Sequence, residues 1–209
     1  MLRFLSLPLG FLILLFLTHC SSEKTVELST LNIETAAGLS TYTLGNELFS
    51  GKAVEYQAEG ALSSSRTIVN GKLNGEFIQY FPDGTVESST NYKENIVHGL
   101  YQLFYPDGTL RESVDYQNGK FEGKRTVYWT NGITKETNYF QGGILRGESV
   151  FYFSNGLIRK KIKYDSRGRK DGSWEDYYPN GVLSEKTVYK NGTIVSPMER
   201  YDRQGNPID

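Results

Sequence analysis

From about residue 51 onward, apolar and polar side chains alternate in short runs, each closed by a glycine-bearing turn. A period of two is the signature of half-buried β-strands. The runs also recur at a fixed interval. Aligned on glycine, Gly51, Gly75, Gly99, Gly123, Gly147 and Gly172 step by 24 residues, with one step of 25. Self-similarity at this interval predicts a repeat array in which each unit is one supersecondary element. The first half of each unit reads GEFIQYFPDGTV, GLYQLFYPDGTL, GKRTVYWTNGIT, GESVFYFSNGLI and GSWEDYYPNGVL. Each is a strand that ends in an aromatic pair and a turn.

The turns are Pro82-Asp83-Gly84, Pro106-Asp107-Gly108, Thr130-Asn131-Gly132, Ser154-Asn155-Gly156 and Pro179-Asn180-Gly181. Proline presets the first corner, Asp or Asn tolerates the second, and glycine takes the left-handed position, which predicts type I turns with a glycine bulge. A second strand then runs to Tyr92, Tyr116, Phe140, Tyr164 and Tyr189. After it, Asn118-Gly119, Gly142-Gly143, Arg167-Gly168 and Asn191-Gly192 signal another hairpin turn. No connection is long enough for a helical crossover, so the fold class is all-β, an elongated antiparallel sheet of tandem β-hairpins. A single hairpin buries too little surface to stand alone, so neighbours must pair edge to edge. The predicted units are 51–74, 75–98, 99–122, 123–146, 147–171 and 172–195, with a terminal stub at 196–209. Residues 1–20 read as a leader and 21–50 as a tether merging into a first irregular strand.

Side chains alternate across a strand, so the two adjacent aromatics of each unit point to opposite faces. With one bulge at the turn, the earlier aromatic faces the residue six later. This assigns Tyr80, Phe104, Tyr128, Tyr152 and Tyr177, together with Tyr92, Tyr116, Phe140, Tyr164 and Tyr189, to a packing face. The other face carries Phe81, Tyr105, Trp129, Phe153 and Tyr178, with Arg111, Lys135 and Arg159 on the facing strand. That second set is the candidate binding face. The bland alternative is that its rings also pack, with the cationic stems laid across them.

Composition narrows the function by subtraction. Charge is near balance, with 23 basic against 24 acidic residues, so no footprint for nucleic acid stands out. Past the leader the only histidine is His98, expected in a solvated turn, and the only cysteine of the chain is Cys20. Zinc and haem sites of the usual kinds lack ligands, and Asp83 and Asp107 hold turn positions rather than an acid/base pair. No catalytic residue, metal or cofactor is expected, and the chain reads as a non-enzyme.

The first twenty residues place Arg3 before an apolar run from Phe4 to Leu17, then Thr18, His19 and Cys20. A basic start followed by an apolar stretch is the pattern of an export signal. Leu17-Thr18-His19-Cys20 resembles the lipobox of bacterial lipoproteins, with His19 departing from the small residue that usually precedes the cysteine. The resemblance implies lipidation at Cys20 and a membrane anchor, and Ser21 and Ser22 imply outer-membrane sorting in the bacterial envelope.

The pattern G-x-x-x-x-Y-[YF]-x-[ND]-G-x-[LVI], followed by a Tyr and a second N-G, resembles the variant MORN repeat of bacterial proteins over roughly residues 51 to 205. Three functions follow as expectations. The first is a lipid-anchored scaffold for an unidentified protein partner. The second, implied by the family resemblance, is an antitoxin that neutralises a partner toxin. The third is a glycan or wall binder that uses the aromatic ladder. Unpaired strand edges also leave a homo-oligomer by edge pairing open.

Overall fold

The structure is a computed structural model that describes residues 24–208. Cys20 and the leader lie outside the described residues. A short strand β1 (Thr25–Glu27) and one 3-10 turn (Leu28–Thr30) precede a small sheet of β2 (Asn32–Ala36), β3 (Leu39–Leu44) and β4 (Glu47–Leu48). The array follows as β5 (Gly51–Tyr56), β6 (Leu62–Val69), β7 (Lys72–Tyr80), β8 (Val86–Lys93), β9 (Ile96–Phe104) and β10 (Leu110–Gln117). It continues through β11 (Lys120–Tyr128), β12 (Thr134–Gln141), β13 (Ile144–Tyr152), β14 (Ile158–Tyr164), β15 (Lys170–Tyr177) and β16 (Leu183–Lys190). The last described strands are β17 (Thr193–Ile194), β18 (Glu199–Tyr201) and β19 (Pro207–Ile208).

These strands form one 16-stranded sheet in which β5 to β16 lie side by side in chain order, all antiparallel. The all-β hairpin array expected from the sequence is therefore the fold. One pairing is parallel: β1 lies along β5 and covers the first edge. Covering an edge in this way removes a row of unpaired amides that would otherwise template foreign strands.

Two kinds of turn alternate. At the first kind, Gly84 N–H donates to the Phe81 carbonyl at 2.9 Å and Phe81 N–H to the Thr85 carbonyl at 2.8 Å, with Gly84 at φ +85°. This is the type I turn with a glycine bulge, and it recurs at Gly108, Gly132, Gly156 and Gly181. The second kind has two central residues at positive φ, as at Asn118 (52°) and Gly119 (76°), which is type I′. Glu94 and Asn95 adopt it without glycine. The step of 25 residues arises where Asp165 to Gly168 replaces a type I′ turn with the longer glycine-bulge turn.

Type I′ turns also tie units together. Gly119 N–H donates to the Val97 carbonyl, Gly143 to Phe121 and Gly192 to Lys170, each reaching the preceding hairpin. At the opposite ends, Asn131, Asn155 and Asn180 donate side-chain amides to Ser154, Pro179 and Arg203 carbonyls in the following turn. Asp83 and Asp107 cannot donate, and instead accept from Thr85 and Thr109 within their own turns.

Residues 24–49 correct the tether expectation. They fold into β1 and the small sheet and build the core cluster of Leu31, Tyr42, Phe49, Ala53 and Ile68. The apolar end of the array needs a cover, because no further hairpin precedes β5 in the sheet. Tyr42 N–H donates to the Gly71 carbonyl and Gly71 N–H to the Phe49 carbonyl, both at 2.8 Å, so the small sheet is clamped onto the first type I′ turn.

A Cβ at Gly71 would lie 2.7 Å from Leu48 Cδ2 and 3.0 Å from the Tyr42 carbonyl oxygen, whereas one at Gly84 would meet nothing within 4 Å. Both glycines have positive φ, so both substitutions strain the backbone. Gly84→Ala is expected to cost about 1 kcal/mol, and Gly71→Ala about 2 kcal/mol more because it also overpacks the cap. Urea denaturation midpoints of the two variants check this order.

Candidate functional site

Each repeat glycine sits in a bulge between units. Thr90 pairs with Tyr101 and Tyr92 with Val97, so one residue of β8, Asn91, opposes three of β9 around Gly99, at φ +96°. The same offset recurs at Gly75, Gly123, Gly147 and Gly172. His98 is therefore inside β9 and half-buried, not in a solvated turn, and its Nδ1 has no hydrogen-bond partner.

A second irregularity lies within each unit. Tyr80 pairs with Val86 as expected, but Gln79 pairs with Ser88, which leaves Glu87 as an extra residue. Arg111, Lys135, Arg159 and Ser184 are the counterparts in later units. Such a bulge re-aims side chains and shifts the alternation of the strand by one. Phe104 with Leu110, Tyr128 with Thr134, Tyr152 with Ile158 and Tyr177 with Leu183 thus share one face with Tyr80.

Tyr92, Tyr116, Phe140, Tyr164 and Tyr189 do not join them. Tyr92 pairs with Gly75, two positions from the Phe77–Thr90 pair, and so lies on the face opposite Tyr80. Its ring contacts Phe77 at 6.2 Å between centroids, as Tyr116 contacts Tyr101 at 6.1 Å and Trp174 contacts Tyr189 at 5.5 Å. Tyr116, Phe121 and Phe140 continue this row at 4.8 and 5.0 Å. The single packing face read from the sequence is therefore divided between both faces of the sheet.

The face opposite Tyr80 is also where Phe81, Tyr105, Trp129, Phe153 and Tyr178 stand. Lys135 Nζ lies 4.5 Å from the Trp129 ring centroid, and the Arg111 guanidinium lies 5.7 Å from that of Tyr105. Arg159 instead lies over Phe151, at 5.7 Å. In three successive units the bulge residue is thus a cation laid over an aromatic ring, and in two of them that ring belongs to the column. Part of the column joins units. The Tyr105 hydroxyl donates to the Tyr128 carbonyl at 2.8 Å, and the Tyr178 hydroxyl to the Tyr201 carbonyl at 2.9 Å. Trp129 has no such tie, and its Nε1 is without a partner.

Toward the middle of this face, Arg125 bridges two acids, with Nε 2.7 Å from Glu112 and Nη1 3.2 Å from Glu136. Asn138 donates to the same Glu136. Farther along, Lys170 Nζ lies 3.6 Å from the Trp174 ring centroid and Lys160 Nζ 4.9 Å from it. A hollow of about 260 Å³ opens beside Trp174, lined by Lys160, Asp176, Glu185 and Met198 among others. Lys160 is already paired with Asp176 at 3.1 Å, and Arg200 with Glu185 at 3.6 Å. Among the described residues, no three His, Cys, Asp or Glu side chains gather in a way that could hold a metal ion.

Neither face is sealed. Beyond the N-terminal cluster, the buried apolar side chains among the described residues are Val114, Val150 and Ile162, while the aromatic columns are half-buried on both sides. Partial burial shifts the phenols. Burial raises Tyr92, Tyr101, Tyr116 and Tyr164 above the usual tyrosine value. Tyr177 is pushed up to about 12 by burial and by the hydrogen bond it donates to Glu175 at 2.7 Å.

A raised phenol favours the protonated form in the folded state. Its stabilisation is fully present below the unfolded value of about 10 and is lost as pH rises through the folded one. The protein is expected to lose stability between pH of about 10 and 12, and Tyr177→Phe to lose less over that interval. Denaturation midpoints measured across alkaline pH test both statements.

Residues 73–94, 97–118 and 170–191 match the family model described as MORN repeat variant. No curated protein matches the sequence. Among solved structures, a mutant of S. aureus TarM in complex with fondaparinux, alpha-GlcNAc-glycerol and UDP is similar at 12% identity and a TM-score of 0.31. That likeness covers 46% of this chain and 19% of the other. An alternansucrase in complex with isomaltononaose is similar at 14% identity and a TM-score of 0.20, covering 85% of this chain and 16% of the other. The chain therefore spans less than a fifth of either protein. The three matched segments each end at a type I′ turn; the first two also begin after one, and the third begins after the Asp165 to Gly168 turn, so the chain carries variant MORN repeats in those three hairpins, and the hairpins between them share the geometry.

Proposed function

We propose that the array is a non-enzymatic protein-interaction scaffold, held at the bacterial envelope by a lipid on Cys20. The observation that carries the binding role is the half-exposure of aromatic columns on both faces of a sheet over which the described residues lay no second layer along the array. Aromatic side chains are rigid, offer large contact area, and dominate binding hot spots. Trp129 with Lys135 over its ring is the best-supported anchor, because that ring has no hydrogen bond to a neighbouring unit. The anchor on the membrane side rests on the export-type leader and on Leu17-Thr18-His19-Cys20.

Metabolic palmitate labelling with fractionation tests the lipid anchor. Cys20→Ala is expected to abolish the label and release the protein from membranes, and labelling that persists in the variant would overturn lipidation. Crosslinking in intact cells followed by mass spectrometry tests the scaffold. Trp129→Ala is expected to weaken capture of the main neighbour by about tenfold or more, as for a central aromatic hot spot. Capture of a protein that is toxic when the array is deleted would favour the antitoxin reading. Wall or glycan binding that is lost with Trp129 would favour the third.

A further inference from the structure

The chain contains seven Asn-Gly pairs, at Asn70, Asn74, Asn118, Asn131, Asn155, Asn180 and Asn191. Glycine offers no side chain to shield its backbone nitrogen, so each pair is chemically able to deamidate, and the fold decides which one does. Asn131, Asn155 and Asn180 are held at both ends of the amide. Their Oδ1 atoms accept N–H bonds from Ile133, Leu157 and Val182, and their Nδ2 atoms donate to the next turn. Asn74 Nδ2 donates to Glu94 and Asn191 Oδ1 accepts from Arg169. Asn70 precedes Gly71, which is buried beneath Leu48 and Tyr42.

Asn118 is different. Like Asn70 it is exposed, at φ 52°, and its side chain makes no hydrogen bond among the described residues, but its following glycine, Gly119, is exposed where Gly71 is buried. Three other turns of this kind are also braced by a side chain 20 residues earlier. Ser50 Oγ accepts the Asn70 N–H at 2.8 Å, Glu122 that of Gly142 at 2.7 Å and Asp171 that of Asn191 at 3.2 Å. The residue in that position for Asn118 is His98, whose buried Nδ1 is unpartnered.

We propose that Asn118-Gly119 is a modification site of this protein, deamidating spontaneously ahead of every other Asn-Gly pair. The Gly119 backbone nitrogen, released from its bond to the Val97 carbonyl by local opening, attacks the Asn118 side-chain carbonyl carbon. A C–N bond forms, the Gly119 amide proton passes through water to Nδ2, the bond to Nδ2 breaks and ammonia leaves. Water then opens the cyclic imide to aspartate or isoaspartate. Each product adds one negative charge to the hairpin tip, and isoaspartate lengthens the backbone so that a two-residue type I′ turn no longer closes.

Peptide mapping by mass spectrometry after incubation of the purified full chain at about pH 8 tests this. Asn118 is expected to convert about fivefold or more faster than Asn131, Asn155, Asn180 and Asn191, the factor that one missing hydrogen bond allows. In denaturant the pairs should convert at similar rates, because all share glycine. His98→Glu, which supplies the brace seen at Glu122, is expected to slow Asn118 alone. Faster conversion at any other pair in the folded chain, or equal ranking in the folded and denatured chains, would overturn the proposal. An unchanged Asn118 rate in a folded His98→Glu variant would overturn the role of the missing brace.

Discussion

Edge-to-edge backbone pairing between successive hairpins is the interaction on which the rest of this molecule depends. A hairpin gains little from its own side chains, and among the described residues no second layer runs along this array for it to lean on. Its amides and carbonyls must therefore be satisfied by the hairpins on either side. The type I′ turns extend that pairing past the strands, since the Gly119, Gly143 and Gly192 amides bond to the unit before. Asn131, Asn155 and Asn180 do the same for the unit after. Stability is thereby spread along the sheet, and among the described residues the buried hydrophobic cluster lies where the small sheet is clamped onto the first type I′ turn.

This arrangement explains why the faces remain available. A two-layer sandwich spends its aromatics on a sealed core, whereas a single layer leaves both sides in partial contact with water. The side chains compensate locally. Rings contact rings at Phe77 and Tyr92, cations lie over Trp129 and Trp174, and Arg125 joins Glu112 to Glu136. Such contacts stiffen the sheet without covering it, which suits a surface that must keep its shape while meeting a partner.

Much of this was legible in the residues. Pro82-Asp83-Gly84 and its counterparts dictate a turn type, and that turn fixes the pairing of Tyr80 with Val86. What escaped was the second bulge, because its extra residue is Glu87, Arg111, Lys135, Arg159 or Ser184, and no residue type is demanded there. One displaced position carried Tyr92 and its equivalents to the other face. The neighbouring polar pair Glu87-Ser88, where alternation fails, was the available signal. Residues 24–49 were obscured by their Ser and Thr content, although Ala37-Gly38 marks a hairpin turn between two short β-runs.

The Asp165 to Gly168 turn accommodates an additional residue without disturbing the strands on either side. An insertion inside a strand would instead exchange the two faces for the remainder of that strand. Length variation in such an array is thus confined to its two rims, where each added residue enlarges a loop. The rims are where copies of this repeat are free to diverge in length, while the faces diverge only by substitution.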